Sequence, residues 1–119
     1  FPKSEKLCSK KDIEELFKKG SSHFLYPFKL VFLTKKTKEC LLPQVLITVP
    51  KKTFKKAVDR NRIKRQIREA YRLSKDQIFG ELNAEKIPCY IAIIYIGKDK
   101  LQYNELEKKL ISILLRLKN

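Results

Sequence analysis

KKTFKKAVDRNRIKRQIREAYR, residues 51–72, sets ten Lys or Arg against two acids, Asp59 and Glu69, so it carries +8 of the formal +15 of this 119-residue chain. Ile63, Ile67, Ala70 and Tyr71 recur at i, i+4, i+7 and i+8, the period of an amphipathic helix, and Asp59 is placed to cap it. At 100° per residue, Arg60, Asn61, Lys64, Arg65, Arg68 and Arg72 fall within an arc of roughly 140° beside that apolar face. Arg62, Gln66 and Glu69 lie outside the arc. Solvated helices usually alternate charge sign. This one does not, and such a stripe repels itself unless a polyanion neutralises it.

Phosphate recognition needs donors that stay charged. Guanidinium groups give paired hydrogen bonds, and ammonium groups give mobile point charge. The helix supplies both, and Lys55 and Lys56 continue the cationic surface ahead of it. Asn61 adds a neutral donor and acceptor that reads a sugar or base edge, or else braces the helix start.

The flanking sequence reads as helices and strands in a small α+β domain. Ser9 and Asp12 begin a short helix with Ile13, Leu16 and Phe17 inward, and Gly20 ends it. Residues 24–34, FLYPFKLVFLT, suit one strand entered after Pro27, and residues 35–39 a polar turn. Val45, Ile47 and Val49 alternate with Leu46 and Thr48 in the next strand, which Pro50 stops. Residues 80–88 connect the basic helix to a central strand at 90–96, YIAIIYI, covered on both faces. The helical segment between these last two strands is long enough for a crossover, which allows them to pair in parallel. Leu106, Leu110, Ile113, Leu114 and Leu117 form the apolar face of a final helix over 103–117. The sum is an α+β sandwich of helices on a small sheet, with residues 1–119 as one domain.

With 43% hydrophobic and 34% charged residues, the chain reads as globular rather than disordered. No apolar run approaches the roughly 18 residues of a membrane span, and no secretory signal pattern is read. Cys8, Cys40 and Cys89 are odd in number with no Cys-x-x-Cys spacing, so three reduced cysteines in a cytoplasmic protein are expected, not a zinc site or disulfide. Acids such as Asp12, Glu14, Asp76, Asp99 and Glu105 are scattered among lysines, and His23 is the lone histidine. Neither a metal-dependent nuclease site nor an acid and base pair is visible. The charge calls for an acidic partner, and nucleic acid is the commonest. No membrane and no obligate protein partner is expected.

Residues 60–69, RNRIKRQIRE, preceded by VPKK at 49–52 and KAV at 56–58, resemble the RNR motif of the bacterial ribonuclease P protein family. Phe1, Lys3, Lys6 and Leu7 resemble that family's F-x-K-x-x-R-L opening, with Lys6 in place of arginine. Residues 9–20 match its first helix, and 90–117 its last strand and helix, so the likeness covers nearly the whole chain. The resemblance implies an αβββαβα order, a mostly antiparallel sheet, and a left-handed crossover through the basic helix against the right-handed default. It also implies a division of labour. A large RNA hydrolyses precursor tRNA to leave the mature 5′ end, with Mg2+ bound mainly through RNA phosphates. The protein, inactive alone, binds that RNA through the RNR helix. The corresponding residues here are Lys55, Lys56, Arg60, Asn61, Arg62, Lys64, Arg65, Arg68 and Arg72.

In the same family the single-stranded 5′ leader lies in a cleft between the first helix and the sheet, where unpaired bases need stacking surfaces and the backbone needs cations. Phe17 matches a family aromatic, Ile13 stands where a second is common, and Val31 where tyrosine is frequent. Phe17 as ordinary core is the competing reading. Thr48 and Lys51 are candidate leader contacts, joined by Phe1 and Lys3 from the opening motif and by Lys98 as the basic residue after the last strand. Two other classes compete. A structural RNA-binding protein of ribosomal type explains charge and helix equally well, and the RNR run discriminates against it. A DNA-binding module is disfavoured because its helix also carries core residues and no dimerising element is evident.

Overall fold

A computed structural model of the protein describes residues 10–34, 44–80, 88, 90–98 and 101–118. The elements run α1 (Lys10–Lys19), β1 (Ser21–Leu25), β2 (Phe28–Leu33), β3 (Gln44–Thr48), α2 (Ala57–Gly80), β4 (Tyr90–Tyr95) and α3 (Tyr103–Leu115), closed by a 3-10 turn, Arg116–Lys118. The four strands form one sheet in the order β1-β2-β4-β3. β1 with β2 and β2 with β4 are antiparallel, whereas β3 and β4 are parallel and joined through α2. The order αβββαβα and the parallel crossover pair follow the expectation.

One expectation is corrected. Residues 24–34 are not a single strand entered after Pro27 but a hairpin, with Leu25 opposite Phe28 and Tyr26-Pro27 as its two-residue turn. The Tyr26-Pro27 peptide is cis, as in turns with proline at the third position. β1 escaped the sequence reading because SSHFL is an edge strand with only His23 and Leu25 partly buried, so it lacks the apolar alternation of a covered strand.

The sheet's two faces differ. Phe28, Leu30, Val45, Val49, Ile91, Ile93 and Tyr95 turn toward α2 and α3 and form the main core with Ile63, Ile67, Tyr71, Leu106 and Leu110. On the other face α1 covers a smaller patch, with Leu16 buried against Val31, Tyr90 and Ala92 and flanked by Ile13, Leu46 and Ile94. β4 is thus buried on both faces, as its unbroken apolar run requires. The alternation in β3 holds, since Val45 and Val49 join the larger core and Leu46 the smaller one.

Gly20 closes α1 by donating its N–H to the Leu16 carbonyl at 2.8 Å. A Cβ at Gly20 would also meet the Phe32 carbonyl at 2.9 Å, so the residue is small because backbone passes over it.

α2 begins at Ala57, with the Arg60 N–H donating to the Lys56 carbonyl at 3.2 Å. Asp59 therefore sits within the first turn, where its charge complements the helix dipole, and not at the cap. The helix continues beyond the basic stretch because Ser74, Ile78 and Phe79 extend its buried face. Buried Ser74 is satisfied by donating to the Ala70 carbonyl at 2.6 Å.

Candidate nucleic-acid interface

The basic helix is two-faced, as its periodicity predicts. Ile63, Ile67, Ala70 and Tyr71 are buried, while Asn61, Arg62, Arg65, Arg68 and Arg72 are exposed and Arg60 and Lys64 are partly so. Lys55 and Lys56 are exposed just ahead of it. The cations are not equivalent. Arg60 turns back and donates from Nη1 to the carbonyls of Phe54 at 2.8 Å and Lys55 at 2.9 Å. It thereby holds the end of the 49–56 connection against the first turn of the helix.

At the far end of the stripe, Arg72 Nη2 meets Glu69 Oε1 at 2.5 Å, both side chains half exposed. Hydrogen bonding from Arg72 holds the Glu69 carboxyl below its ordinary range, and the same bond raises the Arg72 guanidinium. Arg72 thus presents less net charge to an anion than Arg65 does.

The second surface is the sheet face under α1. Strand register sets four residues in one row across the sheet: Phe24 opposite Lys29, Lys29 opposite Ile94, and Ile94 opposite Thr48. Directly opposed residues point to the same face. One step along the strands lies the row of Ser22, Val31, Ala92 and Leu46, where α1 packs through Leu16. The Thr48 row therefore borders the covered row. Phe17, on α1, is 49% exposed and belongs to neither buried cluster, which removes the ordinary-core reading. Ile13 packs instead, as a partly buried neighbour of Leu16.

At the edge beyond this row, Lys51 is exposed after β3, and Lys98 is exposed after β4. Lys98 donates its backbone N–H to the Tyr26 hydroxyl at 3.4 Å. Gly97 lies so close to the hairpin turn that a Cβ there would come within 2.7 Å of Pro27 Cβ. The β1–β2 turn, Lys98, Lys51 and the entry to α2 thus occupy one end of the sheet. Phe1 and Lys3 lie outside the described residues, as do all three cysteines.

His23 pairs with Leu30 and stacks on Phe32 with ring centroids 5.1 Å apart. It lies on the opposite face from Thr48. Among the described residues no three His, Cys, Asp or Glu gather where they could hold a metal ion. No helix of the described residues is long and apolar enough to cross a membrane.

These features define a class: a small α+β protein presenting a dense cationic helix beside a half-covered sheet. The profile of the family described as Ribonuclease P matches residues 1–118, and the chain belongs to that family. It is 31% identical over 115 residues to the ribonuclease P protein component of Porphyromonas gingivalis, covering 97% of this chain and 84% of the relative. Among solved structures it resembles the RNase P protein of Thermotoga maritima, with 26% identity, a TM-score of 0.74, and coverage of 94% of this chain and 96% of the other. A Staphylococcus aureus RNase P protein mutant with defective mRNA degradation activity gives 25% identity and a TM-score of 0.75, covering 94% of this chain and 86% of the other.

Proposed function

We propose that this chain is the protein subunit of ribonuclease P, acting in the cytoplasm to promote 5′ maturation of precursor tRNA. Its α2 stripe binds the catalytic RNA subunit, and the sheet face beside α1 grips the 5′ leader. The observation that carries this reading is the RNR sequence on an exposed helix flank whose other side is core. Arg65, Arg68 and Lys64 are displayed by a rigid element with one face fixed, so their charges are preorganised for a phosphate backbone. Family membership leaves the ribosomal alternative without support.

The leader reading is supported by Phe17 standing clear of the core and by Thr48, Lys51 and Lys98 lying at one end of the open sheet face. Unpaired RNA presents π faces to an aromatic and phosphates to lysines. On this reading the hydrolytic chemistry belongs to the RNA, with Mg2+ held mainly by its phosphates. The protein contributes binding and orientation.

Copurification from the source cell under mild salt tests the assignment. A single large RNA that supports precursor cleavage should accompany the chain and leave it at high salt. Recovery with ribosomal particles instead would return the protein to the structural class.

A further inference from the structure

Phe24 is 58% exposed although it stands on a strand, and no part of the proposed function uses it. Three observations give it a role. It shares a sheet row with Thr48, through Lys29 and Ile94. Its neighbour in that row, Lys29, is exposed. Its backbone is fixed from the far side, because Arg116 of the closing 3-10 turn donates from Nη1 to the Phe24 carbonyl at 2.9 Å. An edge strand with an exposed aromatic ordinarily invites pairing with another chain. Here Arg116 occupies an edge carbonyl, while the ring stays open beside a cation on the face that carries Thr48.

We propose that Phe24 is a base-stacking position for single-stranded RNA, with Lys29 as its phosphate contact. Together they take leader nucleotides farther from the cleavage site than those at Thr48 and Lys51. This rests on the leader reading above and extends it across the sheet. The direction follows from topology. The connection to α2 leaves from the end of β3, so the β3 edge is the one nearest the catalytic RNA, and β1 is the opposite edge of the order β1-β2-β4-β3. Three strand spacings of about 4.8 Å put Phe24 roughly 14 Å from Thr48. An extended strand leaving Thr48 therefore reaches Phe24 only if the leader is long enough. A cation beside an aromatic on a rigid sheet matches the chemistry of a sequence-tolerant single strand, and the chain's net charge of +15 opposes docking of a second copy through this face.

The test uses holoenzyme reconstituted from the full chain and its RNA subunit, with precursor tRNAs whose leaders are shortened one nucleotide at a time. Affinity is measured at fixed salt and magnesium for Phe24→Ala, Phe24→Tyr, Lys29→Gln, Phe17→Ala and Lys51→Ala, after thermal melts confirm folding. With long leaders Phe24→Ala should lose about tenfold, within the range of one base–aromatic stack, and Phe24→Tyr should retain affinity. Lys29→Gln should lose less. Both losses should vanish at a leader length where Phe17→Ala and Lys51→Ala still cost affinity. Equal loss at every leader length, or no loss for Phe24→Ala while the Phe17 and Lys51 effects persist, overturns the inference and leaves the cleft reading standing. A Phe24→Ala change that alters only the self-association of the protein assigns the patch to a second copy and likewise overturns it. If no variant, Phe17 and Lys51 included, responds to leader length, the leader reading fails and takes this inference with it.

Discussion

The Arg60 guanidinium lies 2.8 Å from the main-chain carbonyl of Phe54, six residues earlier, and also binds the carbonyl of Lys55. Phe54 is itself buried, packed near Tyr95 with ring centroids 6.0 Å apart. Arg60 therefore links the cationic helix to the loop that carries Lys51 and Lys55, and it serves the fold as well as any RNA. Arg60→Ala should destabilise the protein by about 1.5 to 3 kcal/mol, the range for hydrogen bonds to a charged group, whereas Arg65→Ala should stay within about 0.5 kcal/mol. Urea denaturation of the two variants checks the difference.

Arg65 and Arg68, both exposed on the stripe, should contribute to RNA affinity. Replacing both with alanine should weaken binding to the RNA subunit and flatten the plot of log affinity against log salt by about 0.7 to 0.9 per lost phosphate contact. An unchanged slope in the folded double variant would make the stripe a solvated surface.

Glu69 should act as a brake on the stripe. Its carboxyl is held below the ordinary range by the bond from Arg72, so the ion pair is intact at neutral pH. Whatever it contributes to stability is present above the unfolded carboxyl's pKa and lost as pH falls through the lowered folded value. Glu69→Gln should release Arg72, raise affinity for the RNA subunit and steepen its salt dependence by about one phosphate contact, with little change in stability because the pair is exposed. The affinity ratio of variant to parent should stay flat from pH 8 to pH 6, measured by filter binding.

Phe17→Ala should lower holoenzyme affinity for precursor tRNA by about 1 to 3 kcal/mol and leave mature tRNA unchanged. Its exposure separates it from a core phenylalanine, whose truncation costs about 3 to 5 kcal/mol of stability. Phe17→Leu should lose nearly as much affinity, since an aliphatic side chain cannot stack. Lys51→Ala should act in the same direction more weakly. Equal losses for precursor and mature tRNA would take Phe17 out of the leader site.

The helix positions Ile63, Ile67, Ala70 and Tyr71 were legible because one local period decides which side of a helix is buried, and the β3 alternation was legible for the same reason. The β1–β2 hairpin was not. Its edge strand has two serines and a histidine, and Pro27 gave the same signal for a strand entrance as for a turn. Asp59 marked the start of α2 within two residues, but a capping side chain and a first-turn acid look alike in sequence. The brace from Arg60 to Phe54 was hidden because it depends on how the loop folds back. Phe24 carried no signal at all, since its exposure follows from which rows of the sheet α1 covers, and that is settled only by tertiary packing.

The most direct measurement is cleavage of precursor tRNA by purified protein, by its RNA subunit, and by the two together, in magnesium and with the protein verified free of nucleic acid. The protein alone should cleave nothing, and the reconstituted complex should release the leader to give the mature 5′ end, with the protein tightening the binding of precursor tRNA. Magnesium-dependent cleavage by RNA-free protein, or a complex in which the protein changes neither binding nor rate, would contradict the assignment of catalysis to RNA and of binding to this chain.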